Sequence, residues 1–394
     1  MALDDIRQVK LEKLKAMRKA GIDPYPTTTK RSMSVSDALD DFDALADSKK
    51  QITLAGRLMA QRGHGGLIFF DIVDDGVKIQ GCAKEDALGA DEFKFFNELV
   101  DIGDIIEVTG TLFKTKKDER TIEATKIGML TKALLPLPEK WHGLIDVEER
   151  FRKRYLDLLM SEEVRGKFIK RAEIIQAIRH YLMKHEFLEV TTPTLQPLYG
   201  GASARPFKTH LNALDQDMFL RIAPELYLKR LLVGGLDRVF EFTTNFRNEG
   251  IDREHNPEFS AVEFYIAYKD YNWGMDLFEE IFESAALSVL GTTKVKHGEL
   301  ELDLKRPWPR MKVTEAIKSL TGLDAAGWKT VKEAKKDMAN KMKGHPKLKE
   351  LDALGTIGEI IAFAFEELVE TKLIEPTIIY DYPVEVSPLA KKCA

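Results

Sequence analysis

Apolar, β-branched and aromatic residues concentrate in five short runs between residues 51 and 130, and polar turns separate the runs. This pattern predicts five β-strands. The runs span 52–61, 66–73, 76–83, 104–115 and 120–130. A helix-like stretch over 91–100 lies between the third run and the fourth. Because five strands with a helix in that place are the order of an oligonucleotide-binding barrel, we predict such a barrel here.

The segment before the barrel predicts a basic helix and a linker. Leu11, Leu14 and Met17 recur at helical spacing among lysines and arginines, and the pattern stops at Gly21. Both a solvated helical face and contact with a polyanion are compatible with this helix. Ser, Asp and Lys dominate residues 31–50, which predicts a linker with one short helix.

The remainder of the chain predicts an antiparallel sheet with helices packed on it. A proline-containing connector at 135–138 marks a domain boundary. A long amphipathic helix follows around Phe168, and an extended strand then leads to Pro193. Two strand-like runs, 238–245 and 259–268, form a hairpin-like pair. The chain is therefore of the α+β class, with a barrel followed by an antiparallel sheet.

Composition and charge exclude several classes of protein. The chain has 394 residues, 44% of them hydrophobic, which suffices for a core in each of two or three domains. A formal net charge of -5 excludes a uniform basic field, so any nucleic-acid contact must come from local patches. Because Cys82 and Cys393 are the only cysteines, a disulfide framework and a thiolate zinc site are excluded. With no apolar run near the roughly 20 residues of a membrane span, we expect a soluble, cytoplasmic protein without membrane contact.

Strand parity identifies candidate nucleic-acid contacts on the barrel. Ile68, Phe70 and Ile72 share one face of their strand, so Phe69 is expected on the solvent face. Gln80 falls on the polar face of the next strand. An exposed ring beside an amide can stack on an unpaired base and bind its edge. Isolated surface aromatics are common, however, and the pattern alone leaves both interpretations open.

The densest group of polar residues lies at a predicted hairpin tip, 246–259. Arg247 offers a planar, charged fork for a phosphate or carboxylate, and His255 could donate to a further phosphate. Glu249 needs a donor such as an exocyclic amine or a magnesium ion, and an adenine ring stacked on Phe259 would supply that amine. A surface hairpin held by charge pairs is the alternative that these residues leave open.

A second candidate carboxylate is Glu225, which lies in the otherwise apolar stretch 221–227. Such a group needs either an internal arginine or an incoming cation. The sequence has no phosphate-binding P-loop, no dinucleotide-binding glycine motif after a strand, no H-E-x-x-H and no C-x-x-C. We therefore expect neither a P-loop nor a Rossmann nucleotide site.

Several segments, taken in order over nearly the whole chain, resemble the class II aminoacyl-tRNA synthetases, and most closely the lysyl-tRNA synthetases of bacterial type. The segments are Gly-Ile-Asp-Pro-Tyr-Pro at 21–26, Gly-Thr-Leu-Phe-Lys-Thr-Lys at 110–116, Leu-Pro-Leu-Pro at 135–138 with Trp-His-Gly-Leu at 141–144, Gly-Gly-Ala-Ser-Ala-Arg-Pro-Phe at 200–207, the hairpin 246–259, and 382–391. The resemblance implies an OB-fold anticodon-binding domain over 51–146 after the helix and linker of 1–50. It implies a class II catalytic domain over 147–394.

The resemblance also implies roles for individual residues. The implied anticodon-binding residues are Phe69, Gln80 and Glu119, the last of which is by itself an ordinary turn charge. Phe69 would stack on the central uridine of the anticodon. The implied ATP-binding residues are Arg247, Glu249, His255 and Phe259, with Arg247 as the catalytic residue that bridges the α-phosphate and the amino-acid carboxylate. The implied lysine-binding residues are Gly201, Glu225 and Tyr265.

The implied function is ATP-dependent activation of L-lysine to lysyl-adenylate and its transfer to tRNA(Lys), with Mg²⁺ accompanying ATP. A homodimer is also implied, because the long helix and the strand that closes at Pro193 match the motif that builds the dimer interface of the family. Many bacterial relatives carry Arg immediately before the motif histidine, where this chain has Glu254 after Arg253. The family's acidic magnesium ligands, amine-selecting carboxylate and glycine-rich motif 3 are expected beyond Ala394, so we expect a chain truncated at its C-terminus, with no metal ligand of its own and an incomplete catalytic sheet.

Three alternatives remain to be compared with this function. A ligase that lysylates a translation factor would lack the barrel. A synthetase specific for aspartate or asparagine would share the barrel and the stretch around Glu225, but the Asn-Glu-Gly and His-Asn-Pro-Glu-Phe wording of the hairpin favours lysine. A non-catalytic RNA-binding or regulatory paralogue would be expected to lose several of Arg247, Glu249, Phe259 and Glu225, all of which are present.

Overall fold

A computed structural model describes residues 3–138, 145–252, 255–387 and 390–391. Its contacts divide the chain into an N-terminal unit, 1–168, and a C-terminal unit, 169–394. The Trp-His-Gly-Leu segment at 141–144, and Arg253 and Glu254 in the hairpin, lie outside the described residues.

The N-terminal unit is a closed five-stranded barrel with helices before, within and after it. Its helices and strands, in chain order, are α1 (Leu3–Lys19), α2 (Val35–Asp40), α3 (Phe42–Ser48), β1 (Ile52–His64), β2 (Leu67–Asp74), β3 (Val77–Lys84), α4 (Glu85–Leu88), α5 (Ala90–Leu99), β4 (Ile105–Lys114), β5 (Arg120–Thr131), α6 (Val147–Arg152) and α7 (Arg154–Met160). The strands close in the order β1-β2-β3-β5-β4, with β3 and β5 parallel and the other pairs antiparallel. The predicted strands and the helix between the third and the fourth are confirmed.

Strand alternation fills the barrel as the parity of β2 predicts. Ile68, Phe70 and Ile72 are at most 3% exposed. The ring of Phe70 lies 4.9 Å from that of Phe96, on α5, which covers one end of the barrel core. Across the β2–β3 ladder Phe70 is paired with Gly81, where a Cβ atom would overlap the Phe70 ring. A glycine is therefore needed opposite this phenylalanine, because a close-packed core has no room for both.

The predicted linker over 31–50 is wrong, because the structure has two helices there, α2 and α3. Val35, Ala38 and Phe42 are buried in the barrel's hydrophobic core. The Ser34 side chain accepts a hydrogen bond from the Asp37 N–H in a capping box that starts α2. The abundance of Ser, Asp and Lys concealed apolar residues that recur every three or four positions, which is the spacing of a helix packed on a core.

Two lysines of α1, Lys10 and Lys13, bind groups of the barrel around the buried Lys132. Lys132 is fully buried, and its Nζ lies 2.5 Å from Asp101 Oδ2 and 2.8 Å from Asp104 Oδ2. Lys13 binds the other oxygen of Asp101 at 2.6 Å, and Lys10 Nζ donates to the carbonyl of Ile102 at 3.2 Å. Part of the basic charge of α1 therefore forms an ion cluster that joins the helix to the barrel.

The C-terminal unit contains small antiparallel and parallel sheets between helices. The helix α8 (Glu162–Lys184) crosses the division of the two units. The elements that follow are β6 (Leu188–Glu189), β7 (Leu195–Gln196), β8 (Lys208–Leu211), β9 (Gln216–Leu220), α9 (Glu225–Val233), β10 (Arg238–Phe246), β11 (Glu258–Ile266), α10 (Tyr271–Leu290), β12 (Lys294–His297), β13 (Leu300–Asp303), β14 (Arg310–Lys312), α11 (Val313–Thr321), α12 (Val331–Lys341), α13 (Ile357–Leu368) and β15 (Ile378–Tyr380). Short 3-10 turns cover Asn212–Leu214, Ala325–Gly327, Leu348–Ala353, Glu370–Lys372 and Val384–Val386.

The predicted hairpin is confirmed as β10 and β11, which pair antiparallel from Arg238 with Ile266 to Phe246 with Glu258. The short β6 adds to β10 in parallel. One face of the hairpin is apolar, and its Phe240 packs with Leu182 of α8 and Leu277 of α10. The other face is left for polar side chains.

A helical insertion separates β14 from β15, which pair in parallel. Its helices α11, α12 and α13 surround a hydrophobic core of their own. Val313, Met338 and Ile360 of that core are fully buried. The insertion is therefore stabilised by its own packing.

Candidate active site and nucleic-acid face

The polar face of the β10–β11 hairpin gathers the candidate catalytic residues. Alternation along the strands places Glu241 and Arg247 of the first run, and Phe259, Glu263 and Tyr265 of the second, on one side. The opposite side packs into the hydrophobic core. The sheet therefore brings the implied ATP-binding Arg247 and Phe259 to the same surface as the implied lysine-binding Tyr265.

Arg247 lies immediately after β10, and its backbone fixes the base of the hairpin tip. Its N–H donates to the carbonyl of Pro257 at 2.8 Å. Its guanidinium lies 5.0 Å from the ring centroid of Phe259. Arg247 Nε is buried and has no hydrogen-bond partner among the described residues. A buried charged donor without an acceptor is costly in a folded protein, so an anionic ligand would remove that cost.

The other two implied ATP-binding residues, Glu249 and His255, lie at the hairpin tip and differ from Arg247 in exposure. Glu249 is exposed, and its Oε1 accepts the Arg205 N–H at 3.2 Å. His255 is exposed, with its Nδ1 2.9 Å from both carboxylate oxygens of Asp252. Since Asp252 engages Nδ1, Nε2 is the ring nitrogen that remains for a ligand. Both side chains are therefore on the accessible rim, and neither is buried beside Arg247.

The implied lysine-binding residues meet at the start of α9. Gly201 has a φ of +90°, and a Cβ atom built there would lie 2.8 Å from the Cβ of Glu225. Glu225 has its partner within the helix, because its Oε1 accepts a hydrogen bond from Lys229 Nζ one turn later. Glycine at 201 thus serves two needs, a left-handed backbone and close approach to the carboxylate.

Glu263 is a site residue that sequence reasoning missed. Tyr265 Oη donates to its Oε2 at 3.4 Å. Burial raises the pKa of Glu263, and the nearby charges of Glu225 and Glu241 raise it further, against the opposing effects of the Tyr265 hydrogen bond and of Arg247. Burial, with the nearby carboxylates of Glu263 and Glu225, also raises the pKa of Tyr265. Its position two residues before Tyr265, on the same strand face, is the signal that could have identified it.

A buried ion pair supports the floor of the site. Arg221 Nη1 lies 2.6 Å from Glu241 Oε1, and both side chains are at least nine-tenths buried. The hydroxyl of Thr192, which directly precedes Pro193, donates to Glu241 Oε2 at 2.7 Å. The end of the strand after α8, the end of β9 and the middle of β10 are thereby joined.

The implied anticodon-binding residues lie on one outer face of the barrel. The hydroxyl of Thr121 lies 3.0 Å from Gln80 Oε1 and 3.0 Å from the backbone carbonyl of Glu119. Because Gln80 uses its oxygen here, its amide donors are left for a ligand. Phe69 is diagonal to Gln80 across the β2–β3 ladder. Phe69 is half-buried.

Two further residues of this face went unnoticed in the sequence. Arg62 on β1 is paired with Phe69 and is exposed. Asp71 is paired with Gln80 and is only 7% exposed, yet its Oδ1 has no hydrogen-bond partner among the described residues. The face therefore presents a ring, a cation and amide donors, with an unpaired acceptor buried between them. Only the strand register reveals this, since the residues come from separate strands.

Neither a metal centre nor a membrane helix is found in the part of the chain that the structure describes. No group of three or more His, Cys, Asp or Glu side chains there is arranged to hold a metal ion. No described helix combines the length and apolar character needed to cross a membrane.

Comparison with known proteins gives matches over both units. Residues 146–394 match the family described as tRNA synthetases class II (D, K and N), and residues 52–130 match the OB-fold nucleic acid binding domain. A protein named lysine–tRNA ligase in Carboxydothermus hydrogenoformans is 49% identical over 99% of this chain and 78% of its own length. Relatives of the same name in Pelotomaculum thermopropionicum and Bacillus subtilis are 47% and 45% identical, over 100% and 99% of this chain and 76% and 78% of their own lengths.

Proposed function

This chain belongs to the class II tRNA synthetase family, among the lysine–tRNA ligases, and from that premise we propose that it activates L-lysine with ATP and transfers it to tRNA(Lys). The observation that carries the proposal is the polar face of β10 and β11. Arg247 lies there beside the Phe259 ring, on the same side as Glu263 and Tyr265. Such a surface can bind a nucleotide, a carboxylate and an amine next to one another.

The chemistry that we propose needs no protein nucleophile. A carboxylate oxygen of lysine attacks the α-phosphorus of ATP, the bond to the bridging oxygen breaks, and pyrophosphate leaves. A hydroxyl of the terminal ribose of tRNA then attacks the acyl carbon and releases AMP. Arg247 would bind both the α-phosphate and the lysine carboxylate, so its contribution is positioning and neutralisation of charge. Phe259 would stack on adenine and Glu249 would accept from its amine.

The ammonium group of lysine would be met by the acidic part of the site. Glu225 and Glu263 both influence the ionisation of Tyr265, which supports their lying in one pocket. We propose that Mg²⁺ accompanies ATP as its complex. His255, on the rim, would approach the outer phosphates.

We propose that the outer face of the barrel binds the anticodon, with Phe69 stacking on a base and Gln80 and Glu119 binding base edges. The shared Thr121 hydroxyl supports a common site for the last two. We also propose a cytoplasmic homodimer. Ile169, Ile174 and Met183 of α8 are between 41% and 57% exposed, and a second copy would bury such apolar surface.

ATP–pyrophosphate exchange across a panel of amino acids tests the activation step. Exchange with lysine alone is expected, and exchange with aspartate or asparagine would overturn the assignment of the substrate. Glu225→Gln should raise the KM for lysine about tenfold or more, because a charged partner of the amine is lost. The matched control is Glu299→Gln, in the exposed turn between β12 and β13, which should leave the KM unchanged.

A further inference from the structure

The helical insertion between β14 and β15 carries a concentrated positive charge. Residues 329–349 contain eight lysines against two acidic residues, in a chain whose formal net charge is -5. The stretch runs from the residue before the N-cap of α12, through that helix, to the following 3-10 turn. Such charge is local to one element and does not reflect the composition of the whole chain.

Four of the lysines form one exposed strip. Ala334 and Met338 of α12 are buried in the insertion's core. Lys332 and Lys336 are each two residues before one of them, which at 100° per residue puts them on the opposite side of the helix. Lys329, just before the N-cap of the helix, and Lys343, just after its C-cap, are also exposed. Lys332 and Lys336 are four residues apart and are therefore neighbours at about 5–6 Å on the helix, and Lys343 follows Lys336 by seven residues, about two turns. We call these four residues the lysine strip.

The side chains of the lysine strip form no ion pairs with the described residues. None of its four side chains makes an ion pair there, whereas Lys335 and Lys347 of the same stretch bind the Asp352 carbonyl and Glu367. The two acids of the stretch are engaged elsewhere. Glu333 accepts the Lys329 backbone N–H at 3.1 Å, and Asp337 accepts the Trp328 indole N–H at 3.0 Å. The strip is thus a fixed row of ammonium groups on a helix that its own core holds in place.

We propose that the lysine strip binds the phosphate backbone of tRNA through the catalytic unit, independently of the anticodon face. The inference rests on the proposed function for the identity of the RNA. Lysine contacts to phosphates release counterions and supply affinity without sequence preference. The strip and the intervening Ala339 and Asn340 carry no large apolar side chain, and membrane-surface helices usually insert such side chains. RNA is therefore the polyanion that the strip fits best.

The test is RNA binding by a lysine-to-glutamine triple variant, Lys332→Gln/Lys336→Gln/Lys343→Gln, of this chain. The probe is a labelled minihelix of the tRNA(Lys) acceptor stem and T arm, which lacks the anticodon, in fluorescence anisotropy between 50 and 200 mM KCl. The Kd at 50 mM is expected to rise about tenfold or more, and the slope of log Kd against log salt to fall by about 2 to 3. Lys294→Gln/Lys296→Gln/Lys305→Gln, on and beside the β12–β13 hairpin, removes equal charge and should change neither quantity.

Each other outcome has a definite meaning. An unchanged Kd and slope in the strip variant, with urea midpoints equal to those of the unaltered chain, would overturn the proposal. Loss of binding to phosphatidylserine vesicles without loss of minihelix binding would overturn it in favour of an anionic membrane. Equal binding of a minihelix from another tRNA would support the proposal, because phosphate contacts do not depend on the base sequence. Lysine-dependent pyrophosphate exchange needs no RNA, so failure of the proposed function would appear there and not in the salt dependence.

Discussion

Glu241 and Glu263 lie directly opposite one another on β10 and β11, and among the described residues Glu241 forms an ion pair with Arg221 whereas Glu263 forms none. Like charges in directly opposed strand positions destabilise a sheet. Glu263, the member without an ion pair, is the one whose pKa burial and its acidic neighbours raise. The site thus holds a carboxylate that a cationic substrate would stabilise in its charged form.

Glu263→Gln is expected to stabilise the protein at neutral pH and to impair lysine activation. A carboxyl group whose pKa is raised on folding binds more protons in the folded state than in the unfolded state. Its contribution to stability is therefore lost as pH rises from the unfolded pKa of about 4.3 through the folded pKa. Urea midpoints of the variant and the unaltered chain should converge below pH 4 and separate above it. A variant that is less stable at pH 7 would contradict this account of the site.

Asp71→Asn is expected to relax discrimination at the base stacked on Phe69. A carboxylate oxygen can only accept, so it suits the N3–H of uridine and repels the N3 lone pair of cytidine, whereas the asparagine amide can donate to that lone pair. With anticodon stem-loops carrying uridine or cytidine at the central position, the ratio of Kd values should fall by about tenfold. Asp47→Asn, at an exposed position of α3, makes the same charge change and should leave the ratio of Kd values unchanged. A lower affinity for both loops, with the ratio kept, would indicate a structural role only.

Gly81→Ala is expected to destabilise the N-terminal unit by about 1–3 kcal/mol, because the added Cβ must displace the buried ring of Phe70. Gly166→Ala is the matched control. It lies within α8 with no atom near the added methyl, so it should stabilise by about 0.5–1 kcal/mol. Both values come from urea unfolding. In a Gly81→Ala background, Phe70→Leu should recover part of the lost unfolding free energy. If it did not, the overlap with the Phe70 ring would not be the cause of the loss.

Lys132→Met is expected to cost about 3–5 kcal/mol, because it leaves the buried Asp104 carboxylate without its cation. The exposed pair of Lys114 with Asp43 provides the contrast, and Lys114→Met should cost at most about 1 kcal/mol. If urea unfolding showed equal losses of unfolding free energy in the two variants, burial would not determine how much each ion pair contributes to stability.

Asp101 adds a pH dependence to the same cluster. Burial alone raises the pKa of Asp101, but hydrogen bonds from Lys13 and Lys132 lower it overall. A lowered pKa stabilises the fold above the unfolded value of about 3.9, and this stability is lost as pH falls through the folded pKa. Acid unfolding followed by circular dichroism should therefore begin at higher pH in Lys13→Met. An unchanged acid transition would contradict the ion cluster as its cause.

Local patterns predicted the parts of the fold that depend on neighbours in sequence. Alternation in β2 gave the burial of Phe70, and the two runs around Arg247 gave the hairpin that sets it beside Phe259. The same patterns could not reveal Asp71 or Glu263. Each gains its meaning from the residue opposite it on another strand, and register between strands is a tertiary property. The helices α2 and α3 were not predicted for a similar reason. Most residues of the segment that contains them are polar, and the few apolar residues that pack on the barrel core gave too weak a pattern in the sequence.

The parallel pairing of β14 with β15 determines how the segment between these strands could be replaced. Lys312 leaves the sheet opposite Tyr380, two residues beyond Ile378, where the chain returns. At about 3.3 Å per residue along a strand and about 4.8 Å between strands, the gap from Lys312 to Ile378 is roughly 8 Å. Because a segment that joins parallel strands must run back along the sheet before it re-enters, a replacement of about a dozen or more residues is needed to cross it. Residues 313–377 could then be exchanged for the corresponding segment of a relative with the sheet register kept, whereas their excision would uncover Met311 and Ile379, which pack against the insertion's core.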